Sequence, residues 1–437
     1  MQLNSTRAEP GNIIQCTIVS NYGGETLELS PVSLNYYESV LDCTVRVTLI
    51  IVDSGYRLNS SKTGTVLEGG NIKIGAGELV YLEFEDRMGQ VVSFTENNPL
   101  MVKEVRSTSS DTSKTTFALD LWSEEATYNS LSKTKVNQRY YGKPSDTVNS
   151  ILKDNLQTKK NLNIEKSQNV LQYMGRGQKP FFCATELAGR SVPTISKASG
   201  VLAGFFFYET SQGYNFRSID TLLKQDYKRS FIANETTAIP EGYTSKIYTF
   251  QFQSNYDLES VLFSASFSKS KIKVFDPVTE QYTEDVFDYN EQFMGDNNLG
   301  DQFPVISSLW KFENQSRSYV THSDRGTYTS GKDYKEQLKT SSDENFRVED
   351  VVRQSRSRYN QLYSNRLSFT TSGDLALHAG DLIHCDFPEI TSEKSYHDTS
   401  STRSGLYMIT DVCHQLTVDS TWTRIHCVRD SFGRKPF

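Results

Sequence analysis

The chain has 437 residues, too many for one ordinary hydrophobic core, so two to four domains are expected. A formal net charge of −7 excludes a protein that grips nucleic acid by neutralising phosphates. The longest apolar runs, Val47–Val52 and Val201–Tyr208, fall far short of the roughly 18 residues a membrane helix needs, so no insertion into a bilayer is expected.

Hydrophobic residues make up 36%, and 24 Tyr with 24 Phe put the buried surface on rings, a balance that favours sheet. Met1 to Arg7 lack a basic segment followed by an apolar stretch, so synthesis and assembly in a cytoplasm are expected. The six cysteines, Cys16, Cys43, Cys183, Cys385, Cys413 and Cys427, follow no small-scaffold rhythm and read as free thiols used as small hydrophobes. The sequons at Asn4, Asn59, Asn234 and Asn314 carry no meaning without export.

Up to residue 125 the pattern is β throughout. Ile13–Val19, Val45–Asp53, Ile72–Ile74, Leu79–Glu85, Met101–Val105 and Thr116–Trp122 are short β-branched and aromatic runs between Gly- and Ser-rich turns, the signature of a small barrel or sandwich. After Trp122 the period changes. Pro144-Ser145-Asp146 predicts a helix start with Ser145 as cap, and Val148, Ile151, Leu152 and Leu156 form one apolar stripe. A second helix is predicted from Lys179-Pro180 to Gly189, and Val201–Tyr208 with Tyr214–Ser218 flank a hairpin turn.

Strand-like alternation returns at Tyr248-Phe250-Phe252 and Val261-Phe263-Ala265-Phe267. Asp276 to Ser342 is too polar to build a core and reads as a surface arm or long functional loop. Val348–Leu367 is a helix candidate, and the last 70 or so residues are β again.

The two β ends share a repeat. Gly70–Phe84 (GNIKIGAGELVYLEF) and Gly373–Phe387 (GDLALHAGDLIHCDF) align without a gap, with Gly70/Gly373, Ala76/Ala379, Gly77/Gly380, Leu79/Leu382 and Phe84/Phe387 identical. Each copy has the logic of two strands joined by an Ala-Gly-acidic turn in which glycine supplies a positive φ, followed by two more strands. The expectation is two barrels of one ancestry within an α+β, mainly β chain; the alternative is a chance match of two hairpins with shared turn chemistry.

Candidate chemistry is sparse. His384-Cys385, Cys413-His414 and His426-Cys427 raise a His/Cys metal site, but strand neighbours face opposite ways, so each pair offers one ligand, and Cys inside with His outside is expected. There is no Gly-x-Ser-x-Gly, and Gly175-Arg-Gly177 lacks the setting of a phosphate loop. Glu83, Glu85 and Asp86 read as a solvated acidic edge, and Arg353, Arg356, Arg358 and Arg366 as solvated surface. No catalytic, cofactor-binding or metal-ligating residue is assigned, and no cofactor is expected.

Four stretches carry a family resemblance: Tyr36–Leu41 (YYESVL), Tyr141–Leu152 (YGKPSDTVNSIL), Gly204–Glu209 (GFFFYE) with Phe216-Arg217-Ser218, and Gly405–Val412 (GLYMITDV). In their order the chain resembles the central hub proteins of T-even-type myovirus baseplates, which also resemble the base of type VI secretion spikes. The resemblance implies a non-enzymatic virion protein: a homotrimer whose six barrels form a pseudo-sixfold ring, adapting a hexameric tail tube to a trimeric central spike beside the baseplate wedge proteins. DNA would pass through its channel without specific binding, past an acidic wall that does not retain a polyanion. It also implies an N-terminal barrel over 1–125, an α/β domain from 126–238 with 275–363, and a second barrel from 239–274 with 364–437. The rival readings are a receptor- or glycan-binding tail protein and a cell-wall hydrolase.

Overall fold

A computed structural model describes residues 8–21, 26–53, 74–110, 114–194, 203–234, 238–254, 270–276, 280–287, 298–300, 317–324, 345, 348–389, 399–400 and 402–433. The fold is α+β and mainly β. The expected strand Val261–Phe267, the first four residues of the first repeat copy and most of 276–342 lie outside the described residues.

The first unit comprises β1 (Asn12–Val19), β2 (Thr26–Glu28), β3 (Ser33–Ser39), β4 (Arg46–Asp53), β5 (Leu79–Glu85), β6 (Val91–Phe94), β7 (Leu100–Ser110) and β8 (Thr115–Ser123). They pair in the order β2-β1-β5-β7-β8-β4-β3, with β6 added to β5. Period-2 alternation sets the curl: Leu34 and Tyr36 of β3 and Val80, Leu82 and Phe84 of β5 point inward, where they meet Val47, Leu49, Leu119 and Leu121 in one core. Each such side chain contributes about 2 kcal/mol on burial, enough to fix the register, since a slip by one residue would expose the whole set.

The middle of the chain supplies α1 (Glu124–Ser130), β9 (Arg139–Gly142), α2 (Pro144–Ser150), β10 (Leu162–Ile164), β11 (Leu171–Met174), α3 (Pro180–Gly189), β12 (Phe205–Thr210), β13 (Gly213–Ser218) and α4 (Ile219–Lys224). Pro144 and Pro180 open α2 and α3, where the missing N–H costs nothing. Ser145 does not cap α2. It lies within the helix, buried, and its hydroxyl meets that of Ser167 at 3.2 Å, while Lys143 holds the cap position. The stripe of Val148, Ile151, Leu152 and Leu156 is buried as its spacing predicts, and α2 runs on into a π-turn over Ile151–Asn155.

β12 is buried at every position, which explains the unbroken Phe-Phe-Phe-Tyr run. Phe205 and Phe207 face the core with α2 and α3; Phe206 and Tyr208 face a second core with Ile219, Leu222, Leu382 and Met408.

The remaining elements are β14 (Arg229–Ile232), β15 (Ser245–Lys246), β16 (Thr249–Ser254), β17 (Ser270–Asp276), β18 (Gln281–Phe287), β19 (Arg317–His322), α5 (Val348–Leu362), β20 (Asn365–Ser372), β21 (Leu382–Asp386), β22 (Gly405–Thr417) and β23 (Thr421–Arg429). β17, β18 and β19 form a small separate sheet. β14, β16 and β20–β23 wrap a third core of Phe231, Phe369, Leu377, Ile383, Ile409 and Ile425. α5 is not the solvated arginine face expected: Arg358 is buried in a two-pronged bridge to Asp220 (2.9 and 3.0 Å), and Arg353 is buried as well, while Arg356 and Arg366 are exposed.

Candidate functional site

The repeat extends well beyond the aligned residues. Gly77 and Gly380 have φ of +90° and +91°, in the left-handed region that glycine tolerates. The Gly77 N–H donates to Val102 O and the Val102 N–H to Glu78 O, both at 2.8 Å; Gly380, Ile409 and Asp381 repeat both bonds at 2.8 Å. Each second strand then carries a β-bulge at the equivalent place, between Val102 and Glu104 in β7 and between Ile409 and Asp411 in β22. Shared turn chemistry accounts for the glycine, but not for a matching bulge in the partner strand well downstream of it.

The two units join by strand pairing. β3 runs antiparallel to β22 from Ser39↔Asp411 to Ser33↔Thr417, which makes β7-β8-β4-β3-β22-β23-β20-β16 one continuous antiparallel sheet. One cross-strand row on its polar face reads Trp122, Arg46, Tyr37, Cys413, Arg424, Thr370 and Thr249. This face is not acidic: Arg46 bridges Asp42, and Arg106 bridges Asp120 at 2.5 Å. A cleft of about 470 Å³ crosses the junction, lined by Asn35, Tyr37, Tyr248, Gln415, Trp422 and Arg424.

Beneath the junction Glu38, fully buried, gathers three parts of the fold. Its carboxylate accepts from the Tyr36 hydroxyl (2.5 Å), the Ser211 N–H (2.9 Å) of the β12–β13 turn and the Ala379 N–H (3.0 Å) of the second repeat turn, and it faces His378 Nδ1 at 3.1 Å. Burial disfavours its charge, but His378 and the converging donors win and hold it down at about 2. His378, opposed by its own burial, is raised by the Glu38 charge, so the two form a buried ion pair. Its neighbour His414 stacks on Tyr36 and is pushed down to about 4 by burial. His414 Nε2 faces the Leu377 carbonyl and Nδ1 the Thr423 hydroxyl, which fixes a neutral ring protonated on Nε2.

Glu38 was missed as a site residue, although a signal was present: it continues the inward phase of Leu34 and Tyr36 on β3, where a carboxylate must find partners. A second knot ties the first unit to the α/β region. Lys160 Nζ sits 2.5 Å from Glu125 and 2.6 Å from Glu209, whose other oxygen accepts the Val45 N–H at 3.0 Å. Glu209 is raised by burial against the pull of Lys160, and Lys160 is raised by the two carboxylates against its burial.

The weighed chemistry resolves into packing. Cys385 and Cys427 lie in the third core, their thiols pushed well above the ordinary range by burial. The Cys413-His414 pair is reversed from expectation, with His414 inside and Cys413 half-exposed, because the bulge before Asp411 flips the phase of the strand. His384 is buried too, its Nδ1 3.2 Å from the Ser230 hydroxyl across the β14–β21 pair. Among the described residues no three His, Cys, Asp or Glu side chains converge on a metal-sized site. Asp86 is no solvated acid: it is buried and accepts from the N–H groups of Met88, Gln90 and Leu375 at 2.8 to 2.9 Å. Gly175 lies so close to Val136 that a Cβ would sit 2.3 Å from its side chain, a packing reason for that glycine.

Two fused, structurally repeated β units around an α/β region define a fold shared with bacteriophage tail proteins. The 43 kDa tail protein of prophage MuSo2 from Shewanella oneidensis superposes with a TM-score of 0.52 at 12% identity, over 96% of this chain and 98% of that one. A tail protein from Neisseria meningitidis superposes with a TM-score of 0.53 at 10% identity, over 95% and 96%. No family model and no curated protein sequence matches the chain.

Proposed function

We propose that the protein is a structural component of a phage tail, the central baseplate hub of a contractile tail of T-even type. The observation that carries this reading is the internal repeat, identical in turn, hydrogen bonds and bulge and fused through β3 and β22. A chain with two equivalent units presents six in a homotrimer, which is what joining a hexameric tube to a trimeric spike requires. The shared fold of the two tail proteins supports the same reading.

In this role the polar face of the eight-stranded sheet lines the channel. DNA slides past a wall on which Arg46 and Arg106 are tied to carboxylates, rather than past the acidic wall anticipated from net charge. The protein is non-enzymatic, resides in the virion baseplate beside the wedge proteins, and divides into a first barrel (1–125), an α/β domain (126–238 with 275–363) and a second barrel (239–274 with 364–437), with β14 crossing these bounds to join the second barrel and β17 leaving it for the small separate sheet. Light scattering and pull-downs with tube and spike proteins test it. A trimer that binds both is expected; a strict monomer that binds neither overturns it.

The junction cleft favours a second reading, a receptor- or glycan-binding tail protein, since Tyr37, Tyr248 and Trp422 beside Asn35, Gln415 and Arg424 match sugar-stacking chemistry. A reproducible glycan-array hit lost on Trp422→Ala would favour it.

A further inference from the structure

We propose that the chain pairs with a second copy of itself through two specific strand edges, β16 of one protomer running antiparallel to β7 of the next, with Gln253 opposite Arg106. The inference rests on the trimeric reading above and names the contact that would build it.

Among the described residues β3 and β22 make the strand pairing that joins the two units. Val102 and Ile409 are equivalent by their turn bonds and bulges, so their partners Leu121 and Cys427 are equivalent. Those pair in turn with Val47 and Leu367, which pair with Tyr36 and Phe252. β16 is therefore the second unit's counterpart of β3, and β7 the first unit's counterpart of β22.

Within the chain β3 and β22 join, while among the described residues Lys103 to Ser110 of β7 pair with β8 alone and Thr249 to Gln253 of β16 with β20 alone. The repeat thus presents one made seam and the two halves of an unmade one. Copying the made seam, in which Cys413 faces Tyr37 and His414 faces Tyr36, sets Arg106 against Gln253 and Ser107 against Phe252.

Burial supports the same occupant. Leu34 of β3 is 0% exposed beneath the made seam, whereas its counterpart Phe250 is 46% exposed at the sheet edge beside Phe252 and Phe387. Lys103, Glu104 and Arg106 on β7 are exposed likewise. Such edges normally carry covering or blocking devices, and a second copy supplies one here. Around a trimer, three seams of this kind would alternate with the three built into the chains.

The test is a paired-cysteine variant of the full chain, Arg106→Cys with Gln253→Cys, oxidised and run on a non-reducing gel beside each single variant. Arg106 and Gln253 would sit as Cys413 and Tyr37 do, side chains on the solvent face, which favours a disulfide. The expected result is a covalent trimer from the double variant only, and none from Arg106→Cys with Thr249→Cys, four residues out of register. A second variant, Phe250→Asp, should weaken trimer association by at least about tenfold while the circular dichroism spectrum of the dissociated monomer stays that of the parent chain. A trimer by light scattering that neither cross-links nor responds to Phe250→Asp overturns the edge pairing and leaves the trimeric hub standing. A monomer that still binds tube and spike proteins overturns the edge pairing as a self-contact, and a monomer that binds neither overturns both.

Discussion

β5 and β21 hold the same place in the repeat, yet β5 alternates between buried and half-buried positions while β21 is buried at all five. The difference lies in what covers the outer face. Over β21 the α/β region lays Tyr208 and Leu222 against Leu382 and Met408, whereas β5, though flanked in its sheet by β1 and β6, has no such apolar layer on its outer face among the described residues. The polar positions follow suit. Glu83 of β5 stays partly exposed, whereas its counterpart Asp386 is buried and accepts from the Tyr243 hydroxyl at 2.5 Å. A duplicated module keeps its inward face unchanged, and its outward face acquires partners only where it is covered.

The comparison can be broken most severely where the first unit meets the α/β region. Lys160→Met leaves two carboxylates buried without their cation and should cost about 3 to 5 kcal/mol in urea unfolding at pH 7, with the loss shrinking in acid as Glu209 takes up a proton. Next come the twin glycines. Gly77→Ala meets only the Asn21 side chain, at an ordinary contact distance of 4.0 Å, and should cost only the strain of its positive φ, about 1 kcal/mol. Gly380→Ala adds a Cβ 2.3 Å from the Tyr208 hydroxyl and should cost about 3 kcal/mol, with part returned by Tyr208→Phe.

Glu38→Gln should cost about 2 to 3 kcal/mol near pH 6, with a pH signature. Glu38 is depressed from 4.5 to about 2, so its contribution is present above pH 4.5 and disappears as pH falls toward 2. His378 is raised above 6.5, so its contribution is full below pH 6.5 and disappears as pH rises through its folded value. The pair therefore stabilises most between about pH 4.5 and 6.5, and unfolding at pH 6 against pH 2 should show the variant's deficit closing in acid. His414 works the other way, its neutral ring costing stability as pH falls from 6.5 to about 4, and this term remains in the variant. The smallest contrast is at the paired acids: Asp386→Ala should cost about 2 kcal/mol and Glu83→Ala under about 0.5 kcal/mol by thermal melting.

Local rules made much of this legible in the sequence. β-Branched and aromatic runs located β1, β4 and β5, alternation located β16, prolines placed the starts of α2 and α3, and an ungapped match exposed the repeat, while β3 was not picked out as a strand. The features that escaped depend on partners far along the chain. Arg358 looked solvated because Asp220, 138 residues away, cannot be anticipated from helix pattern, and Glu38 looked ordinary because His378 is 340 residues off. His414 was placed on the wrong face because one inserted residue in β22 reverses everything after it. Ser145 resembled a cap because the sequence shows the Pro144 start but not the waiting Ser167 hydroxyl.

The β3–β22 pairing also sets an order on folding. Gly11 donates to the Thr421 hydroxyl across 410 residues of chain, and Glu38 meets Ala379 across 341, so neither contact can exist until Thr421 and Ala379 have left the ribosome. The first unit must emerge with β3 still lacking its neighbour and wait through the synthesis of everything between. Contacts of such separation form slowly, which makes a nascent chain stalled before residue 405 the species in which β3, paired with β4 on one side, has its other edge open to protect.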